Sequence, residues 1–190
     1  RGRIRVGVLF GGESAEHEVS LQSAKNVVEA IDRNRYDVTL IRIDRSGCWH
    51  LDDETSLSPG AVNLRRIDLS SGARNLALAP GEGGNLITRD GGDPLPELDV
   101  IFPVLHGPMG EDGTIQGLLR LAHIPFVGPS VLGSAIGMDK DAAKRLLRDA
   151  GVPVAPFITV LDRGLAPSWD KVKAELGAPV FVKPANMGSS

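Results

Sequence analysis

His106-Gly-Pro-Met-Gly-Glu-Asp-Gly-Thr-Ile-Gln-Gly117 packs one imidazole, two carboxylates and four glycines into twelve residues. It follows the apolar run Val100-Ile-Phe-Pro-Val-Leu105 and precedes Leu118-Leu-Arg-Leu121. The pattern predicts a loop between a buried strand and an apolar-faced helix. In open α/β sheets, ligands sit beyond the carboxyl ends of the strands. On its own residues the loop has two readings: a ligand site, or a turn whose glycines only satisfy the backbone. A second loop of the same kind decides for the first.

That second loop is Gly11-Gly-Glu-Ser-Ala-Glu-His-Glu-Val-Ser20. It follows the strand-like Val6-Gly-Val-Leu-Phe10 and leads into a segment where Leu21, Ala24, Val27, Val28 and Ile31 recur at helical spacing. Paired glycines let the chain turn sharply and bring backbone amides near a ligand. The pattern is neither a dinucleotide fingerprint nor a Walker loop, and Glu13, Glu16 and Glu18 would repel phosphate. Three carboxylates suit an ammonium group. Favourable charge at a helix start accounts for one or two of them.

Outward from these loops, strand and helix signals alternate. A strand at 5–10 feeds a helix at 18–31, and Tyr36–Ile43 forms the next strand. The run Val100–Leu105 feeds a helix near 113–122. A short strand Ile124–Val127 and a helix near 130–137 follow. This rhythm predicts an α/β fold with an open parallel sheet and helices on its faces. Residues 52–98, rich in Gly, Pro, Asp and Asn, break the rhythm. They read as an irregular excursion with a small antiparallel ribbon around Leu76-Ala-Leu78 and Leu86-Ile87, or as a mobile surface loop.

Composition changes near residue 138. Asp139 is placed to cap a helix Lys140–Ala150, which Gly151 and Pro153 end. A strand around Phe157–Val160, a helix near 168–176 and a strand Val180–Lys183 are expected next. The domains expected are 1–137, an α/β unit, and 138–190, the incomplete opening of a second. About fifty residues are marginal for an independent core. That shortfall, and an Arg1-Gly-Arg start without methionine, predict a fragment of a longer protein.

The bulk numbers exclude several classes. The 190 residues are 42% hydrophobic and 24% charged, which argues against pervasive disorder. A net charge of −3 with no basic block gives no nucleic-acid surface. No apolar run is long enough to span a bilayer, and no secretory signal opens the chain. One cysteine, Cys48, cannot form an internal disulfide, which fits a cytoplasmic location. Cys48 reads as a small packing residue beside Trp49. The four histidines and this cysteine match no metal-ligand spacing.

The two loops, together with Met138-Asp-Lys140 and Phe181-Val-Lys-Pro-Ala-Asn-Met-Gly-Ser-Ser190, resemble the D-alanine–D-alanine ligase family. The resemblance runs from Val6 to Ser190. It implies the ATP-grasp fold, with a pre-ATP-grasp substrate domain followed by the start of the central ATP-grasp domain. It implies a bacterial cytoplasmic ligase that serves peptidoglycan synthesis, and so cell-wall biogenesis and cell shape. ATP phosphorylates the carboxylate of one D-alanine, and the amine of a second attacks the acyl phosphate.

By position, the resemblance implies that Glu16 holds the ammonium group of the first D-alanine, with Ser189 hydrogen-bonded to Glu16. It places His106 in the substrate pocket, with proton transfer and substrate positioning both open. It turns Lys140 and Lys183 to the ATP phosphates, under a cover formed by Gly188, Ser189 and Ser190. The plainer alternatives are a capping histidine at 106, a first-turn surface lysine at 140 and a disordered turn at 188–190. A solvated lysine is less expected at Lys183, on an apolar strand before Pro184. Magnesium is implied, with ligands beyond Ser190 and none among these residues. A homodimer through the first domain is implied, and the apolar 124–137 segment is the sequence's own support for it; nucleic acid and membrane are not expected partners. The fragment alone is expected to be inactive. These motifs do not separate D-alanyl-D-alanine formation from a D-alanine–D-lactate ligase of the vancomycin-resistance type. A noncatalytic amino-acid-binding domain is disfavoured by Lys183 and Gly188-Ser-Ser190, and a Rossmann dehydrogenase fails at the glycine spacing.

Overall fold

The computed structural model describes residues 2–53, 75–78, 86–88 and 97–188. The first strand, β1 (Ile4–Gly11), is apolar on both faces, as a strand covered on both sides must be. Val6, Val8 and Phe10 face one way and pack with Ala24 and Val28 of helix α1 (His17–Ala30). Leu9 faces the other way, into a cluster with Ile115 and Leu119 of helix α2 (Thr114–Leu121). Strand β2 (Tyr36–Ile43) divides similarly, with Leu40 in the first cluster and Ile41 and Ile43 in the second. Phe10, Leu9, Ile41, Ile101 and Leu119 are fully buried. Each contributes about 1.5–3 kcal/mol of burial.

The sheet is completed by β3 (Trp49–Asp52), β4 (Asn75–Leu78), β5 (Leu86–Thr88) and β6 (Val100–Pro103), in the order β5-β4-β3-β2-β1-β6. Its centre, β2-β1-β6, is parallel as expected. An antiparallel edge extends it: β3 turns back on β2, and β4 and β5 form the ribbon expected around residues 76–87. The chain leaves β1 toward β2 and later returns to the opposite side of β1 as β6. The switch point therefore lies beyond the carboxyl ends of β1 and β6, where both singled-out loops emerge.

The β2–β3 turn is built on Asp44. Its carboxylate accepts from the Ser46 amide at 2.8 Å, the Ser46 hydroxyl at 2.7 Å and the Cys48 amide at 3.0 Å, and it meets His50 Nε2 at 2.8 Å. Burial alone would raise this carboxyl, but those bonds outweigh it and hold Asp44 well below the usual carboxylate range. Cys48 is exposed in the turn, not packed beside Trp49 as expected. Its amide and its carbonyl are both bonded to Asp44, which holds it in the turn.

Beyond β6 the expectations divide. Helix α3 (Val131–Met138) is capped by Ser130, and helix α4 (Lys140–Asp149) by Asp139, whose carboxylate accepts from the Asp141 and Ala142 amides, each at 2.9 Å. Helix α5 (Trp169–Leu176) follows Ser168 and ends at Gly177. The short strand Ile124–Val127 is instead one isolated bridge, Phe126 to Ile101. Pro125 has no amide to donate, so a continuous ladder cannot form there. The runs Phe157–Val160 and Val180–Lys183, expected as strands, form no ladder. A strand exists only by pairing, and neither run has a sheet neighbour among the described residues. Phe181 and Val182 stand 89% and 94% exposed. The apolar stripe of α4 is likewise uncovered, with Leu146 and Leu147 on the surface. Residues 54–74, 79–85 and 89–96 of the excursion lie outside the described residues.

Candidate functional site

The loop after β1 is stitched to its surroundings by its own backbone. Gly11 and Gly12 hold φ of 91° and 94°, the sharp turn expected of them. Their amides, however, are used inside the fold and do not point at a ligand. Gly12 donates to the Ile43 carbonyl at 2.8 Å, and Gly11 to the Ser20 hydroxyl at 2.8 Å. Ser20 also donates to the Val104 carbonyl, so one buried hydroxyl joins the two loops at their roots. His17 is buried and its Nδ1 meets the Gly12 carbonyl at 2.6 Å.

This stitching sorts the three glutamates. Glu18 is exposed and pairs with Arg45 at 2.8 Å, a surface ion pair of small worth. Glu13 is exposed and lies against Gly47. Glu16 occupies the position before the first residue of α1, yet its side chain caps no amide. Its carboxylate turns inward, between two distant glycines. A β-carbon on Gly107 would come 2.8 Å from Glu16 Oε2, and one on Gly188 would come 3.2 Å from it. Both glycines hold positive φ, 76° and 81°, a region side chains rarely adopt. Sequence positions 16, 107 and 188 thus meet at one carboxylate.

The His106 loop spends both of its own carboxylates on its own shape. Glu111 Oε2 accepts from the Gly107 amide at 2.7 Å. Asp112 accepts from Met109 at 2.8 Å and Thr114 at 3.0 Å, closing the turn into α2. Burial would raise the Asp112 carboxyl, but hydrogen bonds from the Met109 amide and from the side chain and amide of Thr114 outweigh it and leave it lowered. Gln116 donates to the Gly110 carbonyl at 2.9 Å, while its buried Oε1 has no partner among the described residues. His106 is therefore the loop's one titratable group left for other work. Its carbonyl accepts from Ser14 Oγ at 2.7 Å, and its ring Nε2 meets Ser23 Oγ at 3.0 Å.

Lys140 reaches the same place from the other side. Its Nζ donates to the Gly188 carbonyl at 2.6 Å, and its backbone amide to the Ala185 carbonyl at 2.8 Å. Lys183 is exposed on the irregular segment before Pro184. Ser189 and Ser190 lie outside the described residues, so Gly188 is the part of the cover loop that the structure places. Glu16, Gly107, Lys140 and Gly188 are brought together, and His106 immediately precedes Gly107. A cleft of about 150 Å³ opens beside them, lined by Gly12, Glu13, Trp49, Leu105 and His106 but not by Glu16. Among the described residues, no group of three or more His, Cys, Asp or Glu could hold a metal ion, and no helix is long and apolar enough to cross a membrane.

The sequence reading passed over three serines. Ser14, Ser20 and Ser23 supply the hydroxyls that tie the two loops together. A signal was present: Ser20 and Ser23 lie four and seven residues after Glu16, one face of a helix.

Comparison with known proteins shows the family. The family model described as "D-ala D-ala ligase N-terminus" matches residues 5–129, and that described as "D-ala D-ala ligase C-terminus" matches residues 146–190. The chain is 55% identical over 190 residues to D-alanine--D-alanine ligase A of Salmonella typhimurium, covering 99% of this chain and 52% of that one. Identity to the Escherichia coli K12 protein of the same name is 54%, with the same coverage. The solved D-alanine-D-alanine ligase from Coxiella burnetii superposes with a TM-score of 0.83 at 34% identity, over 100% of this chain and 53% of that one. The VanG D-Ala:D-Ser ligase from Enterococcus faecalis superposes at 0.79 and 36% identity, over 99% and 54%. The chain spans about half the length of the curated relatives it matches.

Proposed function

Because this chain belongs to the D-alanine–D-alanine ligase family, we propose that the protein it comes from joins two D-alanines at the expense of ATP, in the bacterial cytoplasm, for peptidoglycan. The observation that carries this reading is the meeting of Glu16 with Gly107 and Gly188. An inward carboxylate that caps nothing is an anchor for a substrate ammonium group, and a charge-assisted hydrogen bond supplies both energy and orientation. The two glycines remove the bulk that would fill the space around it.

The reaction needs a carboxylate and a triphosphate side by side, so positive charge must lie between them. Lys140, already bonded to the cover loop, is assigned to the phosphate side, with Lys183, Gly188, Ser189 and Ser190. Glu16 and His106 are assigned to the first D-alanine, with Ser189 completing the contact to Glu16. The attacking amine must lose a proton before it can bond to the acyl carbon. Magnesium is expected from the family, and among the described residues no cluster of three or more His, Cys, Asp or Glu offers it a ligand set. We place its ligands beyond Ser190.

We propose the domain boundary between Gly137 and Met138. In support, α3 ends at Met138, and the two family matches leave residues 130–145 between them. A homodimer through the first domain is proposed on the exposed Leu121, Val127 and Leu132. Among second substrates D-alanine is favoured over D-lactate, because the relatives at 54–55% identity are D-alanine--D-alanine ligases. The test is phosphate release from ATP by the full-length protein with D-alanine, L-alanine or D-lactate. Release that requires D-alanine supports the reading, and release independent of it overturns it.

A further inference from the structure

We propose that Ser23 is a positioning residue for His106, holding the imidazole by Nε2 so that the ring meets the first substrate in one fixed orientation. The inference rests on the ligase reading for its substrate and on the geometry for everything else. Ser23 Oγ lies 3.0 Å from His106 Nε2, across 83 residues of sequence. The torsion that turns an imidazole about its bond to the β-carbon is broad and roughly two-fold. A ring on a glycine-rich loop has little else to select between its two faces. One hydrogen bond to a helix does so, because α1 is fixed to the sheet by Ala24 and Val28.

The surroundings argue that the hydroxyl has this job. α1 turns apolar residues to the sheet, and a half-buried hydroxyl there is costly unless it is bonded. Ser20, nearly one turn earlier, binds the backbone at the roots of both loops. Ser14 binds the His106 carbonyl at 2.7 Å. His106 is thus held at its backbone by one serine and at its ring by another, both from the segment that carries Glu16. The position of the ring and the position of the ammonium anchor are set by the same helix. A serine hydroxyl can donate to or accept from Nε2, so it fixes the ring plane in either neutral tautomer. With Nε2 taken, Nδ1 is the nitrogen left to meet a ligand.

The test is a double-mutant cycle in the full-length enzyme, using Ser23→Ala, Ser23→Thr and His106→Ala. Ser23→Ala should lower kcat/KM for D-alanine about 2- to 10-fold, the worth of one hydrogen bond, and leave KM for ATP unchanged. Ser23→Thr, which keeps the hydroxyl, should restore most of the loss. In the His106→Ala background Ser23→Ala should have no further effect. An equal loss in that background, or a parallel change in both Michaelis constants, would overturn the proposal as a mere effect on helix packing. The ring ¹⁵N resonances of His106 report the bond whatever reaction the protein catalyses. They should shift on Ser23→Ala and return with Ser23→Thr, and unchanged resonances overturn the pairing. Phosphate release that ignores D-alanine would strike the ligase reading alone, with the ring resonances still deciding the pairing.

Discussion

Lys140 Nζ donates to the Gly188 carbonyl at 2.6 Å, and Gly188 in turn lies against Gly107 and the Glu16 carboxylate. The Lys140 ammonium on α4 therefore holds Gly188 against the Glu16 carboxylate. Lys140→Met removes that donor while keeping the stem. A bond from a charged but half-exposed group should stabilise the loop by about 1 kcal/mol. Hydrogen exchange at residues 185–188 of the full-length protein should speed up roughly fivefold, with the exchange of β1 unchanged. Equal protection in wild type and variant would show that the contact does not order the loop.

Glu16→Gln keeps the shape of the anchor and removes its charge. In the full-length enzyme it should weaken use of the first D-alanine by roughly 1.5–3 kcal/mol, read as a loss in kcat/KM. Gly107→Ala should act on the same step by a different route. Its β-carbon would come 2.8 Å from Glu16 Oε2, on a backbone at φ 76°. If neither change moves the kinetics with D-alanine, Glu16 is only a charge at a helix start.

Arg5, near the start of β1, is bonded to Asp99, the residue before β6. Asp99 accepts from the Arg5 amide at 2.7 Å and from its guanidinium at 3.1 and 2.8 Å. The Arg5 hydrogen bonds lower the Asp99 carboxyl from its ordinary 3.8 to about 2. A depressed folded-state value means the stabilisation is present above the unfolded value and lost as pH falls through the folded one. Asp99→Asn should therefore flatten the fall in melting temperature between pH 4 and pH 2 without changing its form near neutrality. A melting curve series over that window checks the sign. A wild-type melting temperature that does not fall there would contradict it.

Residues 1–190 alone should bind into no productive complex and release no phosphate from ATP with D-alanine. The described residues hold no metal-ligand cluster, and two lysines cannot replace a chelated divalent cation at a transferring phosphoryl group. The chain should still unfold cooperatively, because the clusters on both faces of the sheet are internal to it. Leu119→Ala, at a fully buried position, should lower that stability by about 2–5 kcal/mol in urea titration. D-alanine-dependent hydrolysis by the 190 residues would mean that the phosphate site has been misplaced.

What the sequence determined by itself was local. The strand at β1, the spacing of Ala24 and Val28 in α1, and the cap at Asp139 depend on neighbours a few residues away, and each is found as read. The two loops were legible as a candidate site because they combine reactive side chains with glycine at strand ends. Tertiary structure decided what local pattern leaves equal. Glu13, Glu16 and Glu18 are alike in sequence, and they differ because Arg45 and Gly47 arrive on one side and Gly107 and Gly188 on the other. The same holds for Glu111 and Asp112, which amides of their own loop claim. It holds for the apolar runs at 157–160 and 180–183, where strand propensity is present but a strand needs a second strand to hydrogen-bond. A side chain's chemistry is written at its own position, while its direction and its partners are set by residues that only the folded chain brings near.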